Sequence, residues 1–129
     1  GRLTKLLNSN EKLLVDGCHS RESARNLASY LRTTGENVYG IWGMQKHKNP
    51  DLFIKQFKGI FKKIIAVKIP NEPNSCNPYK LKKIANKFNI ECDTAPSIEL
   101  AIKRLSNKKQ KVIAFFGSLY LVGNVLSLN

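Results

Sequence analysis

The sequence predicts a Rossmann-like α/β domain, an open and mostly parallel sheet of about five or six strands with helices on both faces. Three observations predict it. Short Val/Ile-rich runs alternate along the chain with stretches whose apolar residues recur at helical spacing. The runs are apolar on both parities, as strands covered on two faces require. Each run then breaks off at a Gly, a Pro or a polar residue.

Taken in order, the first run is Leu13-Leu14-Val15, closing on Asp16. Ala24, Leu27, Ala28 and Leu31 follow at i, i+3, i+4 and i+7, one helical stripe, with Gly35 in the usual place just past a helix end. A second run covers Val38 to Trp42. After it, Asn49-Pro50 reads as an N-cap and first helical residue ahead of a stripe of Phe53, Phe57 and Ile60. The third run, Ile64 to Ile69, leads into a rigid polar loop, Pro70 to Ser75. Asn77-Pro78 repeats the helix-start signal before Leu81, Ile84, Ala85 and Phe88. A weaker extended segment near Ile90 to Asp93 precedes the stripe Ile98, Ala101, Ile102 and Leu105. Val112 to Phe116 is the last run, and a helical stretch from Ser118 to Leu128 ends the chain. Right-handed crossovers between such units make the strands largely parallel.

At 129 residues the chain is expected to be one domain with its own core. Its 42% hydrophobic and 24% charged residues suit a soluble globular domain. It opens on Gly rather than Met, so it reads as a piece of a longer protein, and neither a signal segment nor an apolar run of membrane-spanning length occurs in it. Cys18, Cys76 and Cys92 are an odd and sparse set, read as reduced thiols in a cytoplasmic protein. The net charge of +13 would attract nucleic acid, but the lysines spread over nearly every element instead of gathering on one face, which favours a solvated surface.

Ligands of such sheets bind outside the carboxyl ends of the strands. Four loops meet there: Asp16 to Ser20, Gly43 to Lys46, Pro70 to Ser75, and Gly117-Ser118. Asp16 ends an apolar strand, and two readings of it stand side by side: a carboxylate offered to a ribose diol or a basic group, and a cap for the following helix. Gly17 allows a sharp turn that sets His19 at the mouth of that helix. No GxxxxGK[ST] loop and no GxGxxG motif is present. Cys18 and His19 are neighbours on a turn, a poor arrangement for a nucleophile and its base. His47, in a Lys-rich loop, reads as plain surface, and the Cys and His residues lack metal-ligand spacing.

Four segments carry a resemblance. VDGCHSRESARNLASYL resembles the D-x-A-H-N-P motif and following helix of Mur ligase C-terminal domains. GSLYLVGNVL is similar to the terminal G-S-L-Y-L-x-G-E-V signature of the dihydrofolate synthase/folylpolyglutamate synthase branch. Gly1-Arg2-Leu3 looks like that branch's G-R-[FL] opening, and GIWGMQKHKNPDLF resembles its G-x-M-x-D-K-D segment. Departures are Ser20-Arg21 for Asn-Pro, Cys18 for a small residue, and His47 for the Asp before Lys48. The resemblance implies an ATP-dependent ligase that joins L-glutamate to a folate or dihydropteroate carboxylate through an acyl phosphate. It implies Arg2 and Asp16 as nucleotide contacts, His19 near the reacting carboxylate or incoming amino acid, and Ser118 beside an anionic substrate group. ATP and Mg²⁺ would be bound mainly by an N-terminal P-loop domain of the same enzyme.

On that reading the partners are the P-loop domain, glutamate and the folate-class substrate, the protein is a monomer away from membranes, and the chain alone has no ligase activity. Two rivals remain at this point: a basic α/β module for nucleic acid, carried by the charge alone, and a domain of a peptidoglycan Mur ligase.

Overall fold

The computed structural model describes residues 4–35, 37–107 and 109–128. Arg2 therefore lies outside the described residues. A single five-stranded sheet organises the chain: β1 (Glu11–Asp16), β2 (Val38–Trp42), β3 (Lys63–Ala66), β4 (Cys92–Thr94) and β5 (Lys111–Phe116). Every pairing is parallel and the strand order is β1-β5-β2-β3-β4. The weak fifth segment of the sequence is thus a true strand, β4, on one edge. All-parallel pairing requires crossovers, which four helices supply, α1 (Arg21–Thr33), α2 (Pro50–Ile54), α3 (Pro78–Lys87) and α4 (Ile98–Leu105), and a further helix, α5 (Leu119–Leu128), follows the last strand.

Local chemistry explains where most helices begin. Ser20 caps α1 by accepting the Ser23 N–H at 3.1 Å, and the Ser23 hydroxyl accepts the Ser20 N–H in return, a reciprocal capping box. Asn77 caps α3 through the Tyr79 N–H at 2.8 Å, and Ser97 caps α4 through Leu100. Gly35 takes φ +66°, the left-handed conformation expected just beyond α1. Asn49 departs from expectation. Its backbone is left-handed at φ 54° and its side chain makes no capping bond. The role of Pro50 as first helical residue survives, because a proline there needs no N–H partner.

The stripe of Phe53, Phe57 and Ile60 is also shorter as a helix than its spacing predicts. After Ile54 the chain tightens into a 3-10 turn, Lys55–Phe57, and Gly59 takes φ +79°. Aromatic packing accounts for the change. Phe57 lies 5.0 Å from Phe116 edge-on and 5.4 Å from Phe61, while Phe53 stacks on Trp42 and Phe116.

Two apolar layers form, one on each face of the sheet. Ala24, Leu27, Leu31, Phe53 and Leu81 from α1, α2 and α3 cover one face together with Trp42 and Phe116. Ile98, Ala101, Ile102, Leu121 and Val125 from α4 and α5 cover the other against Ile41, Ile65 and Phe115. Covering is incomplete at β1. Its position on the sheet edge leaves Leu13 and Leu14 half-buried and Val15 36% exposed, against the expectation that every run is covered on both faces.

Candidate functional site

The strand order creates the site. β5 lies between β1 and β2, so the loops leaving β1 and β5 run side by side. The first turns into α1 on one face and the second into α5 on the other, and a crevice opens where they part. Register puts Asp16 beside Phe116, Phe116 beside Trp42, and Trp42 beside Ala66, so all four major strands end level. Asp16, Met44, Pro70 and Ser118 accordingly share one edge, as the sequence predicts, although Met44 is fully buried.

Asp16 does not cap α1, since Ser20 does. One Asp16 oxygen instead accepts the Cys18 N–H at 2.8 Å, which fixes the turn. The His19 N–H donates to Ser23 Oγ at 3.2 Å, and its ring Nδ1 lies 3.1 Å from the Gly17 carbonyl oxygen. A carbonyl accepts only, so this contact selects the tautomer protonated at Nδ1 and leaves Nε2 as the free lone pair. Cys18 is buried between them. Its thiol is pushed up to about 12, first by burial and then by the charge of Asp16, which removes it as a nucleophile at neutral pH.

Ser118 is 3% exposed, and its hydroxyl accepts the Tyr120 N–H at 3.0 Å, so it is the N-cap of α5. Gly117 places it. With φ +110°, its missing Cβ would stand 2.5 Å from the Gly43 carbonyl oxygen and 2.6 Å from the Trp42 ring. Gly17 gives way likewise to Leu119, whose side chain occupies the space of a Cβ.

A cleft of about 430 Å³ joins these parts, lined by His19, Ser118, Leu119 and Tyr120 on one side and by Gln45, His47 and Lys48 on the other. The structure thus brings His19 and Ser118 together, with Asp16 at the foot of the same loop. His47 is exposed, as its sequence context implies, yet it borders this cleft, and Gln45 and Lys48 join it there. Nothing in the residue order marks Gln45 and Lys48 for it. The Gly43 to Lys48 ribbon bridges antiparallel at Gln45 with Ser75 and then turns at Lys46 and His47, where the Lys48 N–H donates to the Gln45 carbonyl at 3.2 Å. Bonds from Cys76 N–H to the Met44 carbonyl at 2.7 Å and from Lys46 N–H to the Asn74 carbonyl at 2.8 Å hold this ribbon up from the sheet.

The cleft carries an ammonium, two imidazoles and a helix N-terminus and no carboxylate, so it favours an anionic ligand. Asp16 suits hydroxyl or cationic partners. Among the described residues no three His, Cys, Asp or Glu side chains gather to hold a metal ion, so this part of the chain offers no Mg²⁺ cage. No described helix is long and apolar enough to cross a membrane.

Comparison with known proteins gives one family and a consistent set of structures. Residues 2–128 match the family described as dihydrofolate synthetase, C-terminal domain. A folylpolyglutamate synthase from Thermotoga maritima superposes with TM-score 0.71 at 27% identity, over 87% of this chain and 26% of that one. Escherichia coli FolC, solved with DHPP and ADP, gives TM-score 0.80 at 14% identity over 95% of this chain and 30% of that one. A bifunctional folylpolyglutamate synthase/dihydrofolate synthase from Yersinia pestis, solved with AMPPNP and a Mn ion, gives 0.75 at 18% identity over 89% and 28%. No curated protein sequence matches. The chain spans less than a third of the length of these structures. Matched from its second residue to its next-to-last, the chain belongs to the dihydrofolate synthetase C-terminal domain family.

Proposed function

We propose that the chain is the closing domain of an ATP-dependent ligase that joins L-glutamate to a dihydropteroate or folate carboxylate. The observation that carries this reading is the shared edge: His19 and Ser118 line one anion-favouring cleft, and Asp16 lies at the foot of the loop that presents His19. In this reading the cleft takes a carboxylate of the incoming amino acid. Lys48 supplies charge, the first turn of α5 supplies N–H groups, and His19 Nε2 faces the amine or the acyl group it attacks. Asp16, with Arg2, contacts the nucleotide. ATP phosphorylates the carboxylate at a P-loop domain elsewhere in the enzyme, which also holds Mg²⁺. This chain has neither the phosphate loop nor a metal cage among its described residues, so alone it would not ligate. The family description names dihydrofolate synthetase, which supports addition of the first glutamate and sets aside a cell-wall substrate.

Steady-state kinetics of the longer enzyme test the reading. Asp16→Asn keeps the acceptor for the Cys18 N–H but loses the charge, and Arg2→Ala loses its guanidinium. Each should raise the KM for ATP about tenfold to a hundredfold, the loss of one charge-assisted contact, with the melting temperature nearly unchanged. His19→Ala should lower turnover and glutamate use more than ATP use. An Asp16→Asn enzyme that melts far below wild type and keeps its ATP kinetics would show a purely structural aspartate.

A further inference from the structure

Along the chain the cations are spread over nearly every element, but the fold sorts them. α1, α2 and α3 all lie on one face of the sheet and α4 and α5 on the other. The two helical layers differ in charge. α4 carries Lys103 and Arg104 beside Glu99, and α5 has no charged residue in its whole length. On the opposite face Arg25 and Arg32 stand exposed on α1, Lys55 and Lys58 on the turn that follows α2, and Lys80 and Lys83 on α3. α1 and α3 both pack against α2 and that turn, so the three groups belong to one continuous surface.

These charges are not used up within the fold. Among the described residues none of them pairs with a carboxylate, unlike Lys63 and Lys82, which share Asp93. The acids of the three helices are Glu22 and Asp51, and Asp51 is already taken by Lys87. A surface of unpaired like charges repels itself and attracts a polyanion, which relieves that repulsion and gives up its own counterions.

Flat and apolar side chains stand among the cations. Tyr30 is 56% exposed on α1, Leu52 45% on α2 and Tyr79 67% on α3. Tyr79 and Lys83 are four residues apart on α3, and Leu52 and Lys55 three apart, so ring or methyl surface adjoins charge on one side of each. An acidic peptide or a lipid headgroup would engage the charge and leave the rings idle. A nucleic acid engages both, phosphates on the cations and base faces on the rings, and base faces are free only where the strand is unpaired. We propose that the α1–α2–α3 face is a docking surface for single-stranded nucleic acid, held through Arg25, Lys55 and Lys83 with their neighbours and stacked on Tyr30 and Tyr79. Phosphates and base faces are common to RNA and DNA, so the surface takes either. It uses no part of the cleft of His19 and Ser118 and stands apart from the ligase reading.

Fluorescence anisotropy of a fluorescein-labelled oligouridylate of about twenty nucleotides, titrated with this chain, tests the proposal without ATP or turnover. Saturable binding that weakens steeply as salt is raised is expected, and an oligothymidylate of the same length should compete. The triple variant Arg25→Gln/Lys55→Gln/Lys83→Gln, one cation from each part of the face, should weaken binding about tenfold or more. Lys68→Gln/Lys103→Gln/Lys109→Gln removes the same charge away from these helices and should leave it within about twofold. Tyr30→Ala/Tyr79→Ala should weaken it about fivefold or more with net charge unchanged. All eight side chains are exposed, so thermal melts should coincide with that of the wild type. Absence of saturable binding, or equal losses in the two charge variants, overturns the surface. An unchanged affinity in the tyrosine variant, or tighter binding of a duplex, of poly-L-glutamate or of phosphatidylserine vesicles, overturns the assigned partner.

Discussion

Replacing Glu11 by Gln should be among the most damaging polar substitutions in this domain. Glu11 opens β1 at the edge of the sheet opposite the site, and its side chain is 0% exposed. One oxygen accepts the Asn8 N–H at 2.8 Å and the Ser106 hydroxyl, and the other accepts the Asn107 N–H at 2.9 Å and the Lys111 ammonium at 3.1 Å. Burial by itself would raise the carboxyl pKa, but these donors outweigh it and hold the group down at about 2. From an ordinary value of 4.5 that shift corresponds to about 3 kcal/mol of stability at neutral pH. Since the folded pKa is the lower one, this stability is present above pH 4.5 and is lost as pH falls from 4.5 towards 2. In Glu11→Gln the new amide would set an N–H₂ against existing donors and leave Lys111, 1% exposed, without its counter-charge. An orphaned buried ammonium costs about 3–5 kcal/mol, a fall of roughly 10 °C or more in melting temperature for a domain of this size. The assay is urea and thermal unfolding of Glu11→Gln and of Glu11→Gln/Lys111→Met across pH. The double variant should recover more than half of the loss, because it removes the stranded charge. A single variant within about 1 kcal/mol of wild type, or one that keeps the wild-type acid sensitivity, would refute the reasoning.

Other consequences are narrower. Gly117→Ala should lose about 2–5 kcal/mol in chemical denaturation, because a Cβ at φ +110° meets the Gly43 carbonyl and the Trp42 ring; Gly35→Ala, at φ +66° with nothing within 4 Å, should lose only about 1 kcal/mol, and equal losses would disprove the crowding argument. Ser20→Ala removes the half of the α1 capping box that accepts the Ser23 N–H, keeps the bond from its own N–H to the Ser23 hydroxyl, and should cost about 1 kcal/mol, read from the same denaturation curves; no change would mean that the cap is idle. In the longer enzyme, Lys48→Gln should raise the KM for glutamate about tenfold with the KM for ATP unchanged, by removing the ammonium from the cleft; an unchanged glutamate KM would remove Lys48 from the site.

Much of this molecule was legible in the residue order because its determinants are local. The stripes of Leu27 and Leu31, of Leu81 and Ile84, and of Ala101 and Ile102 mark helices, since spacing alone decides which face is apolar. Asp16, His19 and Ser118 could be assigned to one edge, because a parallel strand ends where its turn residues begin and all parallel strands end on the same side. Where neighbours in space decide, the residue order was silent. Asn49 reads as a cap, yet its backbone is left-handed, and Phe57 leaves helical geometry to meet Phe116, distant along the chain. The insertion of β5 between β1 and β2 has no signature in any single segment, although it opens the crevice and gathers Gln45, His47 and Lys48 opposite His19. Nor could spacing pair Glu11 with Lys111, one hundred residues away. Helix stripes and turns answer to contacts within a few residues. Strand order, buried ion pairs and clefts answer to contacts that exist only once the chain has closed on itself.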